Sequence, residues 1–349
     1  MEKHTAKYND WEYELLYENG SHIPTINVKP HKKPRSLSKY YSLNENNVLA
    51  FLNNEFYVSQ PDQLNDLFDS NLCLINFEKL PFSYFEERLK EKPTSVIEKQ
   101  RKEYYSNRKE FLQKWKRLLY YLWIQEFGIL SMAENVSNEF ENKQNELMWS
   151  HYTNNEGFLI EFDYTRFNSD FFIGPIQINY TDQLKPVNFK GIDDSLGFLI
   201  ASSIKKDIWE YEHEYRFLCR PENGIGFKVS GTFDNSNLNQ NLQRRFISYP
   251  KKSIKKIILA FAFLKNDIDY QNADYLDRKY NVIFTGKNSE LKIKLFNYLI
   301  ENKISVELMV FDEITFELKA IPISISKISE TTYNIEEQRP QVKTKKLIS

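Results

Sequence analysis

Glycine is scarce in this chain, with 10 residues in 349, and the shortage narrows the possible functions. Phosphate-cradling loops use glycine for left-handed backbone and for close approach to a ligand. The sequence contains neither a Walker motif nor a G-x-G-x-x-G, so nucleotide binding of the P-loop or Rossmann type is not expected. Cysteine is scarcer still. Cys73 and Cys219 lie far apart in strand-like apolar stretches, with no C-x-x-C, so both read as reduced thiols. The five histidines, His4, His22, His31, His151 and His213, include no H-x-x-x-H pair, and no metal site is predicted. Charge of one sign is also missing: 47 Lys and Arg face 48 Asp and Glu. Attraction to nucleic acid or anionic lipid would therefore have to come from a local patch. No apolar run approaches a bilayer span, and the opening M-E-K-H-T-A-K-Y has no hydrophobic core of a secretory signal. The expectation is a cytoplasmic protein that does not engage a membrane.

Aromatics are abundant, with 22 Tyr and 26 Phe in a chain that is 41% hydrophobic, enough for one large or two modest cores. Residues 1–37 are polar and punctuated by Pro24, Pro30 and Pro34. They read as a flexible arm, with a short amphipathic helix over Trp11 to Tyr17. Residues 38–325 read as a single α+β domain with a mixed, largely antiparallel sheet. A helical insertion at about 81–126 carries Glu and Lys or Arg at helical spacing, with Tyr105, Leu112, Trp115, Leu119 and Leu122 as its apolar set. Asn44 is placed to cap a helix through Val48 and Leu52. Strands at Ile254 to Phe261, Val282 to Thr285 and Val306 to Phe311 surround a helix at Ser289 to Glu301, the pattern of an α/β crossover. Residues 326–349 read as a polar tail.

The densest chemistry is W-E-Y-E-H-E-Y-R, Trp209 to Arg216. Taken as one strand, it puts Trp209, Tyr211, His213 and Tyr215 on one face and Glu210, Glu212, Glu214 and Arg216 on the other. Arg216 can then pair with Glu214, while Glu212 feels a like charge. Ile200, Ile204 and Ile208 before it, and Phe217, Leu218 and Cys219 after it, point the segment into a core. A second set is W-S-H-Y, Trp149 to Tyr152, on a helix. A third is Asn65-Asp66, in a loop after Pro61.

Four motifs in order resemble a bacterial family defined by a domain of unknown function, whose members carry K-Y-x-S, P-x-x-x-N-D, W-S-H-Y and W-x-Y-E-x-E-Y-R. The matching residues are Lys39-Tyr40-Tyr41-Ser42, Pro61 with Asn65-Asp66, Trp149-Ser150-His151-Tyr152, and Trp209 with Tyr211-Glu212 and Glu214-Tyr215-Arg216. The chain departs at Tyr41, where members usually carry Arg, and at Leu130-Ser131-Met132, where they carry a Cys-Phe-Ser-like strand. The layout is similar to ADP-ribosyltransferase-like folds, which implies a toxin or anti-phage defence effector that uses NAD. On that resemblance Glu214 is the catalytic carboxylate, with Glu212 as its tuning partner and Arg216 holding it ionised. Tyr41 or Trp149 would stack the nicotinamide. Ser42 and His151 would contact ribose or phosphate, and Asn65, Asp66 and Tyr152 would complete the nucleotide site. The acceptor, protein or nucleic acid, stays open, as does the oligomeric state.

Two other classes ask different things of these residues. A metal-dependent nuclease or phosphodiesterase would gather Asp66, Asp69, Glu212 and Glu214 around Mg²⁺, with His151 as base. A non-catalytic sensor or binding module would use the aromatics as a pocket and Glu214–Arg216 as a buried structural pair.

Overall fold

The computed structural model describes residues 2–17, 25–30, 32–66, 68–71, 74–126, 128–134, 142–169, 171–188, 194–219, 245–273, 278–312 and 316–338. Cys73 lies outside them, as does the Asn-, Ser- and Gln-rich stretch 230–243, which reads as an exposed loop. The N-terminal residues form strands β1 (Glu2–Tyr8), β2 (Trp11–Tyr17) and β3 (Thr25–Lys29), after which β4 (Leu37–Tyr41) leads to helix α1 (Glu45–Leu52). Asn44 caps α1 as predicted, its side-chain oxygen accepting from the Asn47 N–H at 2.9 Å. Next come β5 (Glu55–Tyr57), β6 (Ile75–Asn76), α2 (Phe82–Arg88), α3 (Thr94–Ser106) and α4 (Arg108–Glu126). The middle of the chain holds β7 (Gly128–Glu134), α5 (Asn142–Thr153), β8 (Phe158–Phe162), β9 (Phe172–Gln177), β10 (Asn179–Thr181) and β11 (Val187–Asn188). It continues with α6 (Asp194–Ser202), β12 (Ile204–Lys206) and β13 (Glu214–Cys219). The last third holds β14 (Phe246–Ser248), β15 (Ile254–Leu259), β16 (Lys279–Ile283), α7 (Ser289–Glu301), β17 (Val306–Asp312), β18 (Glu317–Lys327) and β19 (Thr332–Glu337). The class is α+β with mixed, mostly antiparallel pairing, as the sequence indicates.

The chain divides into two compact units. The first comprises Met1–Lys33, Phe56–Ser131 and Asn168–Ile247, and the second Pro34–Glu55, Met132–Phe167 and Ser248–Ser349. In the first, β1, β2 and β3 form an antiparallel sheet, β10 pairs with β12 in parallel, and β13 runs antiparallel to β9. Its core joins Tyr13, Leu15 and Val28 of the N-terminal sheet to Phe82, Phe85, Tyr104 and Phe111 of the helices and to Leu196, Leu199 and Ile200 of α6.

This corrects the expectation of a flexible arm with a helix at Trp11 to Tyr17. Tyr13 and Leu15 are fully buried and alternate with Glu12 and Glu14, a period of two that β1 and β3 pair on both sides. The helical insertion is present, with Pro81 and Pro93 at the starts of α2 and α3. Within it the stretch Glu98 to Gln125 forms two helices that part at Asn107, and Tyr104 and Phe111 fill the core while Tyr105 is 74% exposed.

In the second unit β4, β8 and β15 are antiparallel neighbours, β15 pairs with β17 in parallel, and β17, β18, β19 and β16 follow antiparallel. The parallel pair of β15 with β17 is the predicted crossover through α7. Residues 326–337, expected in a polar tail, hold the end of β18, a turn and β19, where Tyr333 and Ile335 are fully buried. Residues 339–349 lie outside the described ones.

Candidate functional site

The segment Trp209 to Arg216 is not one strand. Asp207–Glu212 is a 3-10 turn, His213 takes a left-handed backbone (φ 42°), and the strand begins at Glu214. Histidine is among the residues that tolerate that conformation. The alternation read from the sequence therefore holds only from Glu214 onward, where Glu214 and Arg216 share a strand face. The turn before it brings Glu212 round to the same cation as Glu214.

That cation is Lys205 on β12. Its ammonium is 3.0 Å from Glu214 Oε2 and 3.8 Å from Asp69 Oδ2, and it also pairs with Glu212 Oε2. The Trp209 ring lies beside it at 5.1 Å. Arg216 is 1% exposed and forks both ways. Toward Glu214 it donates from Nε to Oε1 (2.6 Å) and from Nη2 to Oε2 (3.0 Å). Toward Asp69 it donates from Nη1 to Oδ1 (2.6 Å) and from Nη2 to Oδ2 (2.5 Å). Nη1 also reaches the Ser202 carbonyl at 2.7 Å. Such bidentate, charge-assisted geometry is what arginine provides and lysine does not.

All five ionised side chains are buried. Burial alone would raise the Glu214 carboxyl, but the charges of Arg216 and Lys205, with hydrogen bonds from Arg216 and Ser131, override it and hold the group far below its ordinary value. Burial would lower Lys205, and the neighbouring carboxylates, Glu214 foremost, leave it raised instead. Tyr180, whose hydroxyl accepts the Glu214 backbone N–H at 2.9 Å, is pushed well above its ordinary value by burial and then by the Glu214 charge.

Asn65-Asp66 contributes through the chain. Asn65 is exposed, whereas Asp66 accepts the Phe68 N–H on Oδ1 (3.0 Å) and the Asp69 N–H on its carbonyl (3.0 Å). This turn delivers Asp69 to Arg216. The sequence patterns do not single out Lys205, and they mark Asp69 only as a candidate metal ligand. Their signal was a charge beside an apolar run, Ile200, Ile204, Lys205 in one case and Leu67-Phe68-Asp69 in the other, which calls for a buried partner.

The remaining predicted site residues lie in the second unit. Tyr41 is buried and stacks on Phe158 (5.3 Å between centroids), and burial pushes its hydroxyl far up. Trp149 is core, packed with Leu159, Ile258, Ala260 and Met309 and meeting Tyr40 edge-on at 5.2 Å. Their rings are committed to packing, which corrects the expectation that either offers a face to nicotinamide. Ser42 Oγ accepts from the side chains of Asn44 (2.8 Å) and Asn47 (3.1 Å), bracing the start of α1. His151 is exposed and Tyr152 half-buried on α5. A polar cleft of about 710 Å³ opens where α1 and α7 begin, between residues such as Asn44, Lys287 and Lys294. None of the predicted residues lines it.

The structure thus brings together Glu212, Glu214 and Arg216, with Asp66 one turn away, and does so within one unit. Among the described residues no set of three or more His, Cys, Asp or Glu is arranged to hold a metal ion. The carboxylates that do converge close on an ammonium and a guanidinium. No described helix is long and apolar enough to cross a membrane. Compared with known proteins, the chain matches no family model, no curated protein and no solved structure.

Proposed function

We propose that the first unit is an ADP-ribosyltransferase-like module that takes NAD and works in the cytoplasm, with Glu212 as the carboxylate that meets the reacting ribose. The observation that carries this reading is the charge balance of the buried cluster. Three carboxylates, Asp69, Glu212 and Glu214, face two cations, Lys205 and Arg216, leaving one negative charge in excess among the five. When the bond between ribose C1′ and the nicotinamide nitrogen breaks, its electron pair leaves with nicotinamide and positive charge develops at C1′. A preorganised negative site stabilises that charge most where water is excluded. An acceptor oxygen or nitrogen then bonds to C1′ and gives its proton to a carboxylate. Glu212 suits this role because it ends the turn that carries Trp209 and Tyr211, two half-buried aromatic rings 6.1 Å apart. Glu214 suits it less, since both of its oxygens already accept from Arg216, and Lys205 is a further partner.

The same saturation of Glu214 favours a second reading, in which the ionic cluster is architecture and the chain binds its ligand without turning it over. Nicotinamide release from NAD separates the two. Glu212→Gln should cut release by about 100-fold or more, the usual range for a lost acid or base, with little change in melting temperature. Absence of release by the unaltered chain, together with no thermal shift in NAD, would overturn the transferase reading and leave the second.

A further inference from the structure

The helical insertion carries a charge that the whole-chain balance hides. Between Thr94 and Tyr120 there are eight Lys and Arg against three Glu, while the full chain is at −1. Internal pairing accounts for part of it. Lys114 holds Glu103 and also reaches Glu110 at 3.4 Å, Arg101 pairs with Glu86, and Arg108 donates to the Glu78 and Leu80 carbonyls while covering the Tyr104 ring. Among the described residues this leaves Lys99, Lys102, Lys109, Lys116 and Arg117 without an ion-pair partner, four of them exposed and Lys116 half-buried.

The five are ordered by the helices. On α3, Lys99, Lys102 and Tyr105 follow one another at i, i+3 and i+6, and on α4, Lys109, Lys116 and Arg117 at i, i+7 and i+8, so each set forms a stripe. Tyr105 is 74% exposed and is held edge-on against Tyr104, with ring centroids 5.1 Å apart. Tyr105 thus presents its ring to solvent on the helix face that carries Lys99 and Lys102. Cations that track phosphates and a ring on which a base can stack are the two components of single-strand recognition.

We infer that the insertion formed by α3 and α4 is a binding surface for single-stranded nucleic acid, with the five cations on the phosphates and Tyr105 stacking on a base. An anionic membrane would use the same charge, and vesicles are therefore the competing arm of the test. The inference stands apart from NAD turnover, because its test reads binding alone. The test is fluorescence anisotropy of a labelled oligo(dT) strand with the full chain across rising salt. Five phosphate contacts on a single strand weaken affinity by roughly 100-fold between about 50 and 200 mM salt. Replacing Lys99, Lys102, Lys109, Lys116 and Arg117 together by Gln, a good helix former, should abolish binding and leave the helical circular dichroism unchanged. Tyr105→Ala should weaken binding about tenfold without altering the salt slope. No binding at low salt, equal binding by the five-fold variant, or tighter capture by phosphatidylserine vesicles than by the strand would each overturn the inference.

Discussion

Arg216→Ala is the most exacting perturbation of this fold, because one side chain neutralises two buried carboxylates. Without the guanidinium, Asp69, Glu212 and Glu214 would share the single ammonium of Lys205, and Asp69 stands 3.8 Å from it. Removing one partner of a buried pair costs about 3–5 kcal/mol, most of it the penalty of the uncompensated charge left behind. Against a domain stability of about 5–15 kcal/mol, that is a fifth or more of the total. For a unit of this size it lowers Tm by roughly 10 °C. Chemical denaturation followed by tryptophan fluorescence measures it, since Trp209 sits against Lys205. The origin of the loss can be separated as well. Asp69→Asn, Glu214→Gln and Arg216→Met introduced together replace the ions by neutral groups of similar shape, and should recover most of the stability. If Arg216→Ala costs less than about 1 kcal/mol, the bidentate network does not hold the unit together. If the triple variant is as unstable as the single one, uncompensated charge is not what Arg216→Ala exposes, and the charge argument fails.

Acid should act through Glu214. Its folded carboxyl is depressed below the ordinary value of 4.5, so its contribution is complete above that value and is lost as pH falls toward the folded one. Acid denaturation of the unaltered chain should therefore steepen below about pH 4.5, and Glu214→Gln should flatten that limb while costing stability at pH 7. In the second unit, a Cβ on Gly157 would lie 2.0 Å from the Tyr41 carbonyl oxygen. Gly157→Ala should then cost at least about 2 kcal/mol in a thermal melt, and a neutral outcome would show that β4 and the turn after α5 can separate.

Where the residues themselves decide, the sequence was legible. The crossover through α7 was visible because β15 and β17 are short apolar runs bounded by polar turns and α7 repeats its apolar residues at helical spacing. The Asn44 cap was legible for the same reason, as its partner is three residues away. What could not be read is what distant partners decide. Trp11, Leu15 and Leu16 fit a helical face as well as a strand, and only pairing with β1 on one side and β3 on the other selects the strand. Likewise the alternation from Trp209 to Arg216 is real in the sequence, but a 3-10 turn claims its first half.

The site shows the same division. Glu214 and Arg216 lie two residues apart on a strand, and their pairing followed from that spacing. Arg216, however, is a fork with donors for two carboxylates, and the second, Asp69, is 147 residues away. A buried arginine within an apolar strand implies that some remote acidic residue must fold onto it. The Asn65-Asp66 turn exists in this chain to deliver one. Two motifs that coexist in one sequence are therefore accounted for by folding before any catalysis is invoked, and their joint presence says nothing by itself about a shared active site. Chemistry and architecture part at Glu212 and Glu214, which meet on the same ammonium, the first at the end of a turn and the second on a strand where Arg216 holds both of its oxygens. A transferase built on this cluster must lose turnover at Glu212 while keeping its fold, and must lose its fold first at Arg216.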